Sequence, residues 1–134
     1  MTALLRLLLL DPPLARMRIR LALVLYLAIL VIGSIPGARA DIGHVASGVV
    51  LHSAAYAGLS LLIFGGVLAS RSGRAWITVA AIAAMGAIDE GVQSFFPYRG
   101  AAVGDWLVDC SAAAVTATIL YLLWPRLTQP PRRV

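Results

Sequence analysis

Charge and cysteine are the two things of which this chain has little. Only 13% of its 134 residues are charged, about half the share of a typical soluble domain. Lysine is absent, so all eleven basic residues are arginines. The single cysteine, Cys110, excludes a disulfide within the chain. Because 60% of the residues are hydrophobic, these shortages indicate an integral membrane protein rather than a soluble domain.

The excess of basic over acidic residues does not indicate a nucleic-acid-binding protein. The formal net charge is +5, but the arginines fall between apolar runs instead of following one polar face. Arginine-rich connections are expected on the cytoplasmic side of a membrane protein. We therefore expect the lipid bilayer as a partner and no nucleic acid.

Four apolar runs predict an all-α, four-helix membrane bundle. The predicted spans cover residues 19–36, 45–69, 75–96 and 103–124, close to the roughly 20 residues that cross a bilayer. Residues 71–74, with two arginines and a glycine, are predicted to form a tight turn before the third span. The whole chain, 1–134, is expected to be one domain with flexible basic ends at 1–18 and 125–134. The arginines at positions 16, 18 and 20 are expected to extend toward the head groups.

The arginine distribution predicts the orientation. Residues 1–20 hold four, residues 71–74 two and residues 126–133 three, whereas the other side holds only Arg39 and Arg99. The positive-inside rule therefore places both termini in the cytoplasm of a multi-pass protein of the bacterial cytoplasmic (inner) membrane. The first span could instead be a secretory signal cleaved near Ala38-Arg39-Ala40.

Polar residues between the third and fourth spans form the candidate site. Residues 89–109 hold four of the six acids, and charge inside apolar segments is costly and usually functional. Residues at positions 44, 48, 52 and 56 are spaced by four, which places two histidines and a tyrosine on one helix face. The predicted ligand-binding candidates are Glu90, Gln93, Arg99, Asp105, Asp109, His52, Tyr56 and Asp89.

Three segments carry a resemblance to a known family. They are HSAAY at 52–56, GAIDEGVQSFFPYR at 86–99 and GDWLVD at 104–109. Their order resembles the VanZ-like family of small bacterial membrane proteins, which is associated with teicoplanin resistance. The resemblance implies a helical membrane protein in which Glu90, Gln93, Arg99 and Asp105 occupy recurrent positions. The chain departs from the pattern at Gly48-Val49, Asp109 and Ala112.

Several functions are compatible with these residues. The favoured hypothesis is that the cluster binds an envelope amphiphile or a glycopeptide-like ligand, with Tyr98 and Trp106 stacking on a sugar. An alternative is a metal-assisted membrane enzyme that uses His44, His52, Glu90 and Asp105. A third is a purely structural polar network between helices. Transport by intramembrane acids and a homo-oligomer are also possible, and no cofactor is expected.

Overall fold

Four helices account for most of the described chain. The computed structural model describes residues 11–37, 46–98 and 102–128. A short 3₁₀ turn, Pro12–Leu14, leads into α1 (Ala15–Ser34), which is followed by α2 (Gly48–Gly66), α3 (Arg71–Ser94) and α4 (Val103–Thr128). Each is long and apolar enough to cross a membrane. With no strand among the described residues, the predicted all-α membrane bundle is confirmed.

The first and last helices extend further toward the ends of the chain than predicted. Helix α1 begins at Ala15, directly after the 3₁₀ turn. Pro12 is the first residue of that turn, where the N–H group that proline lacks would have no partner within the helix. Helix α4 continues through Pro125 to Thr128. Proline cannot donate to the carbonyl four residues before it, Tyr121 O, and Arg71 Nη1 lies 3.5 Å from that oxygen. Residues 1–10 and 129–134 lie outside the described part.

The predicted tight turn at residues 71–74 is wrong. These residues form the first turn of α3, and Ser70 is its N-cap. The Ser70 hydroxyl accepts a hydrogen bond from Gly73 N at 3.2 Å, which satisfies one of the free amides at the helix start. The connection from α2 to α3 therefore consists of only Val67 to Ser70.

Helix α2 is the centre of the bundle. It packs against each of the other three helices, and a larger share of its residues is buried than in any of them. The apolar core consists of small, aliphatic and aromatic side chains from all four helices: Ala22, Tyr26, Tyr56, Leu59, Ile63, Ile82 and Ala113. Large apolar side chains such as Leu27, Ile77 and Leu122 face outward, where a bilayer would cover them.

Arginines hold the C-terminal end of α2. Arg18 is only 1% exposed, and its guanidinium donates to Gly65 O at 2.6 Å and Asp11 O at 2.7 Å. Arg74 donates to Phe64 O at 2.9 Å and lies over the Trp124 ring. The last carbonyls of a helix lack partners within it, so these bonds close that end. The expectation that Arg18 extends to the head groups is therefore wrong.

Candidate functional site

The polar side chains meet near one end of the bundle. His52 lies four residues inside the start of α2, Asp109 six residues inside the start of α4, and Glu90 four residues before the end of α3. At 1.5 Å per residue, these depths are about 6 to 9 Å. The arginines that close α2 lie at the opposite end. The bundle thus has an acidic end and a basic end.

His52 lies between two aspartates of α4. Its Nδ1 is 2.9 Å from Asp109 Oδ1, and its Nε2 is 3.8 Å from Asp105 Oδ2. An ionised Asp109 can only accept, and with it the first contact requires the proton on Nδ1. The second distance is too long for a hydrogen bond but short enough for attraction between opposite charges. Both imidazole nitrogens therefore face carboxylates.

A second contact joins α2 to α3 one turn deeper. The Tyr56 hydroxyl donates to Asp89 Oδ2 at 3.2 Å. The Tyr56 ring also stacks on the His52 ring, with centroids 6.1 Å apart and planes inclined by 7°. Both Tyr56 and Asp89 are buried. The four-residue spacing of His52 and Tyr56 thus places two successive side chains on the face that contacts the acids of α3 and α4.

Glu90 connects the end of α3 to the start of α4. Its Oε2 accepts from Ala102 N at 2.6 Å, while Ala102 O accepts from Asp105 N at 2.8 Å. The residue before α4 is therefore held from both sides. Gln93, one turn beyond Glu90, is also buried.

Three carboxylate oxygens in this cluster are buried and unpaired. Asp109, Asp89 and Glu90 are 0%, 2% and 9% exposed. Within the described residues, Asp109 Oδ2, Asp89 Oδ1 and Glu90 Oε1 have no hydrogen-bond partner. A buried polar atom without a partner costs roughly 1 to 3 kcal/mol. The cluster therefore holds three buried acceptors that no described donor satisfies.

Gly86 and Trp106 shape the cluster, although neither is acidic. Gly86 lies against α4, where an added Cβ would come within 3.1 Å of both Asp109 Oδ2 and Trp106 Cδ1. The Trp106 indole donates to Ala83 O at 2.9 Å. Trp106 therefore packs against α3, whereas the sequence suggested that it stacks on a sugar. Tyr98 is exposed, and its hydroxyl donates to Ser34 O at 2.7 Å.

Seven of the eight predicted ligand-binding residues lie in this cluster, namely Tyr56 and six others. The eighth, Arg99, lies outside the described residues. The six are His52, Asp89, Glu90, Gln93, Asp105 and Asp109. Arg99 and His44 lie outside the described residues, as do the predicted cleavage positions 38–40. A role for Arg99 beside these acids stays a prediction.

The described residues show neither a metal-binding group nor a serine hydroxyl bonded to His52. In the described part of the chain, no group of three histidine, cysteine, aspartate or glutamate side chains could hold a metal ion. The hydroxyls of Ser94 and Ser111 donate to carbonyls of their own helices, Gly91 O and Leu107 O. Neither serine is therefore set up as a nucleophile activated by His52.

Comparison of the chain with family models, curated proteins and solved structures gives no match.

Proposed function

We propose that the protein binds a membrane amphiphile whose polar head carries an amine, and that the acidic cluster receives this head. The observation that carries the proposal is the set of three buried, unpaired carboxylate oxygens on Asp89, Glu90 and Asp109. An ammonium group has three N–H donors and no acceptor. It therefore offers as many donors as there are unpaired oxygens, and its charge is opposite in sign to theirs.

The charge of the cluster favours a cationic head over a phosphorylated one. Asp89, Glu90, Asp105 and Asp109 are four acids, and His52 is the only base among the described residues of the cluster. Even with Arg99 added, acids would outnumber bases by four to two. A phosphate would meet repulsion from these carboxylates, whereas an amine or a sugar hydroxyl would find acceptors.

The cellular setting of this proposal comes from the sequence. The arginine asymmetry favours an outward-facing cluster in the bacterial cytoplasmic membrane. The resemblance to the VanZ-like family suggests an envelope lipid or a lipid-bearing glycopeptide, both of which can combine an amine with a hydrocarbon chain. Altered susceptibility to teicoplanin is the cellular effect that this proposal expects.

Thermal unfolding in dodecyl maltoside tests the proposal with two probes of equal chain length. Dodecylamine should raise the melting temperature of the wild-type protein, and dodecyl phosphate should not. At ten times its Kd, a ligand adds about 1.4 kcal/mol to the free energy of unfolding. Glu90→Gln keeps an acceptor for Ala102 N but removes a negative charge, so it should weaken the dodecylamine effect. Equal effects of the two probes would contradict the proposal.

A further inference from the structure

A groove runs along the lipid-facing side of the seam between α2 and α4. Its volume is about 550 Å³, within the range of about 300 to 1,000 Å³ that is usual for small-molecule sites. The walls are apolar or carry small hydroxyls, and the main lining residues are Val49, Ser53, Ala57, Leu107, Ser111 and Val115.

The groove exists because small side chains face each other across the seam. Ser53 and Ala57 on α2 lie opposite Ser111 and Ala112 on α4. Small residues normally let two membrane helices approach closely, but here they leave open space beside the contact. Because Val115, on its rim, is 59% exposed, the groove opens sideways toward the hydrocarbon of a bilayer.

The groove is lined by residues next to those that carry the acidic cluster. Ser53 follows His52 in the chain, and Val108 precedes Asp109, so the hydrogen bond between His52 and Asp109 lies beside the groove wall. The side chains of His52 and Asp105 remain 16% and 15% exposed, so this part of the cluster is not sealed from the surface of the bundle. From Leu107 to Thr116, the groove extends for about 13 Å along α4, toward the middle of the bundle.

We infer that this groove holds the hydrocarbon chain of the amphiphile whose amine lies in the acidic cluster. The inference rests on the proposed function, because the head group fixes which end of the groove the chain enters. The order of the two spaces matches an amphiphile in a membrane, with the charged end near one surface and the chain directed to the interior. The apolar lining and sideways opening match a single saturated chain that enters from the bilayer.

Photolabelling tests where the chain lies. The probe is a long-chain alkylamine with a diazirine at mid-chain, added to the wild-type protein in phosphatidylcholine nanodiscs. After irradiation, mass spectrometry of the peptides should find adducts within residues 49–57 and 107–116. Unlabelled alkylamine should compete with this labelling. Adducts spread over the outward faces of α1 and α3, with none in these two segments, would overturn the inference.

Two matched substitutions on one face of α4 separate the groove from the rest of the helix. Ser111→Trp fills the groove, whereas Thr118→Trp introduces the same side chain about two turns away, at an exposed position outside the groove. Ser111→Trp should weaken alkylamine binding about tenfold, which corresponds to ~1.4 kcal/mol. Thr118→Trp and Ser111→Ala should bind like the wild type. Equal affinity of Ser111→Trp and the wild type would contradict the inference.

Glu90→Gln distinguishes failure of the groove from failure of the head-group site. If Glu90→Gln weakens alkylamine binding and Ser111→Trp does not, the head-group site stands and the chain lies elsewhere. If neither substitution weakens binding, the proposed function fails together with the groove.

A second copy of the chain is the competing occupant. Ser111→Cys in a Cys110→Ala background should not form a disulfide-linked dimer in nanodiscs if lipid fills the groove. Efficient dimer formation that excludes the photolabel would assign the groove to self-association and overturn the inference.

Discussion

The Nδ1 atom of His52 lies 2.9 Å from Asp109 Oδ1, and this contact joins the central helix α2 to α4 inside the apolar bundle. Asp109 is fully buried, and its other carboxylate oxygen has no partner within the described residues. One oxygen of Asp109 thus joins two helices, whereas the other is buried beside Gly86 without a hydrogen bond in the described part.

A double-mutant cycle measures how much the contact between His52 and Asp109 contributes to the free energy of unfolding. His52→Ala and Asp109→Ala should show a coupling free energy of about 0.6 kcal/mol and at most about 1.7 kcal/mol, as double-mutant cycles give for polar contacts between membrane helices. The measurement is unfolding of the purified protein in mixed micelles. His52→Ala combined with Ser111→Ala serves as the control, and its coupling should be near zero. Additive effects of the first pair would show that the contact contributes nothing to stability.

Gly86 keeps α3 close to the acidic cluster. Gly86→Ala would place a methyl group 3.1 Å from Asp109 Oδ2 and Trp106 Cδ1, so those side chains must move. We expect a loss of about 1 to 3 kcal/mol of stability and weaker alkylamine binding.

Gly91→Ala is the matched control for Gly86→Ala on the same helix, because an added Cβ meets nothing within 4 Å there. Thermal unfolding and binding of both variants check the prediction. Equal effects of the two substitutions would show that Gly86 acts through helix propensity instead of close packing.

Arg18 should contribute to stability, unlike the exposed arginine beside it. Arg18→Leu leaves Gly65 O without the donor that lies 2.6 Å away, and an unsatisfied buried carbonyl costs about 1 to 3 kcal/mol. Arg20 is exposed, so Arg20→Leu should change the melting temperature little. If both variants melt like the wild type, the bond from Arg18 to α2 does not hold the helix end.

The orientation follows from nine arginines on one side and two on the other. In a Cys110→Ala background, cysteines at positions 38 and 100 should react with an impermeant thiol reagent in intact cells. A cysteine at position 72 should react only after lysis. Labelling of position 72 alone in intact cells would reverse the orientation, and with it the outward placement of the acidic end.

Substitution of Arg99 tests whether the segment between α3 and α4 acts in ligand binding or in folding. Arg99→Ala should leave thermal unfolding in detergent unchanged and should abolish any effect of the protein on teicoplanin susceptibility. Exposed ion pairs contribute only about 0 to 1 kcal/mol, so a large loss of stability would indicate a buried structural pair. The substitution is therefore measured in both assays, with Arg20→Leu as the control.

Hydropathy was sufficient to predict the four helices, because each apolar run is long and the connections are short. It did not predict the role of Arg18, since whether an arginine reaches the head groups or caps a neighbouring helix depends on where Gly65 lies in space. The start of α3 was misplaced because the arginines at 71 and 74 suggested a turn, although Ser70 is a typical N-cap residue.

The candidate site, like the helices, could be predicted from the sequence only in part. The residue types and their common depth could be predicted from helix periodicity and from the cost of charge in a membrane. The pairing of His52 with Asp109 and of Tyr56 with Asp89 could not, because it depends on the rotation of each helix about its axis. Trp106 illustrates this limit, since its orientation toward Ala83 O comes from the packing of α4 on α3.

Native mass spectrometry of the protein extracted from its own membrane is the most direct test of the amine-binding site. The wild type should retain an amphiphile whose fragments contain a primary amine and a hydrocarbon chain. A variant with Asp89→Asn and Glu90→Gln removes two negative charges and keeps oxygen acceptors for Tyr56 and Ala102 N. It should remain folded and lose that mass. Retention of the same species by both proteins, or of anionic lipids alone by the wild type, would contradict the account.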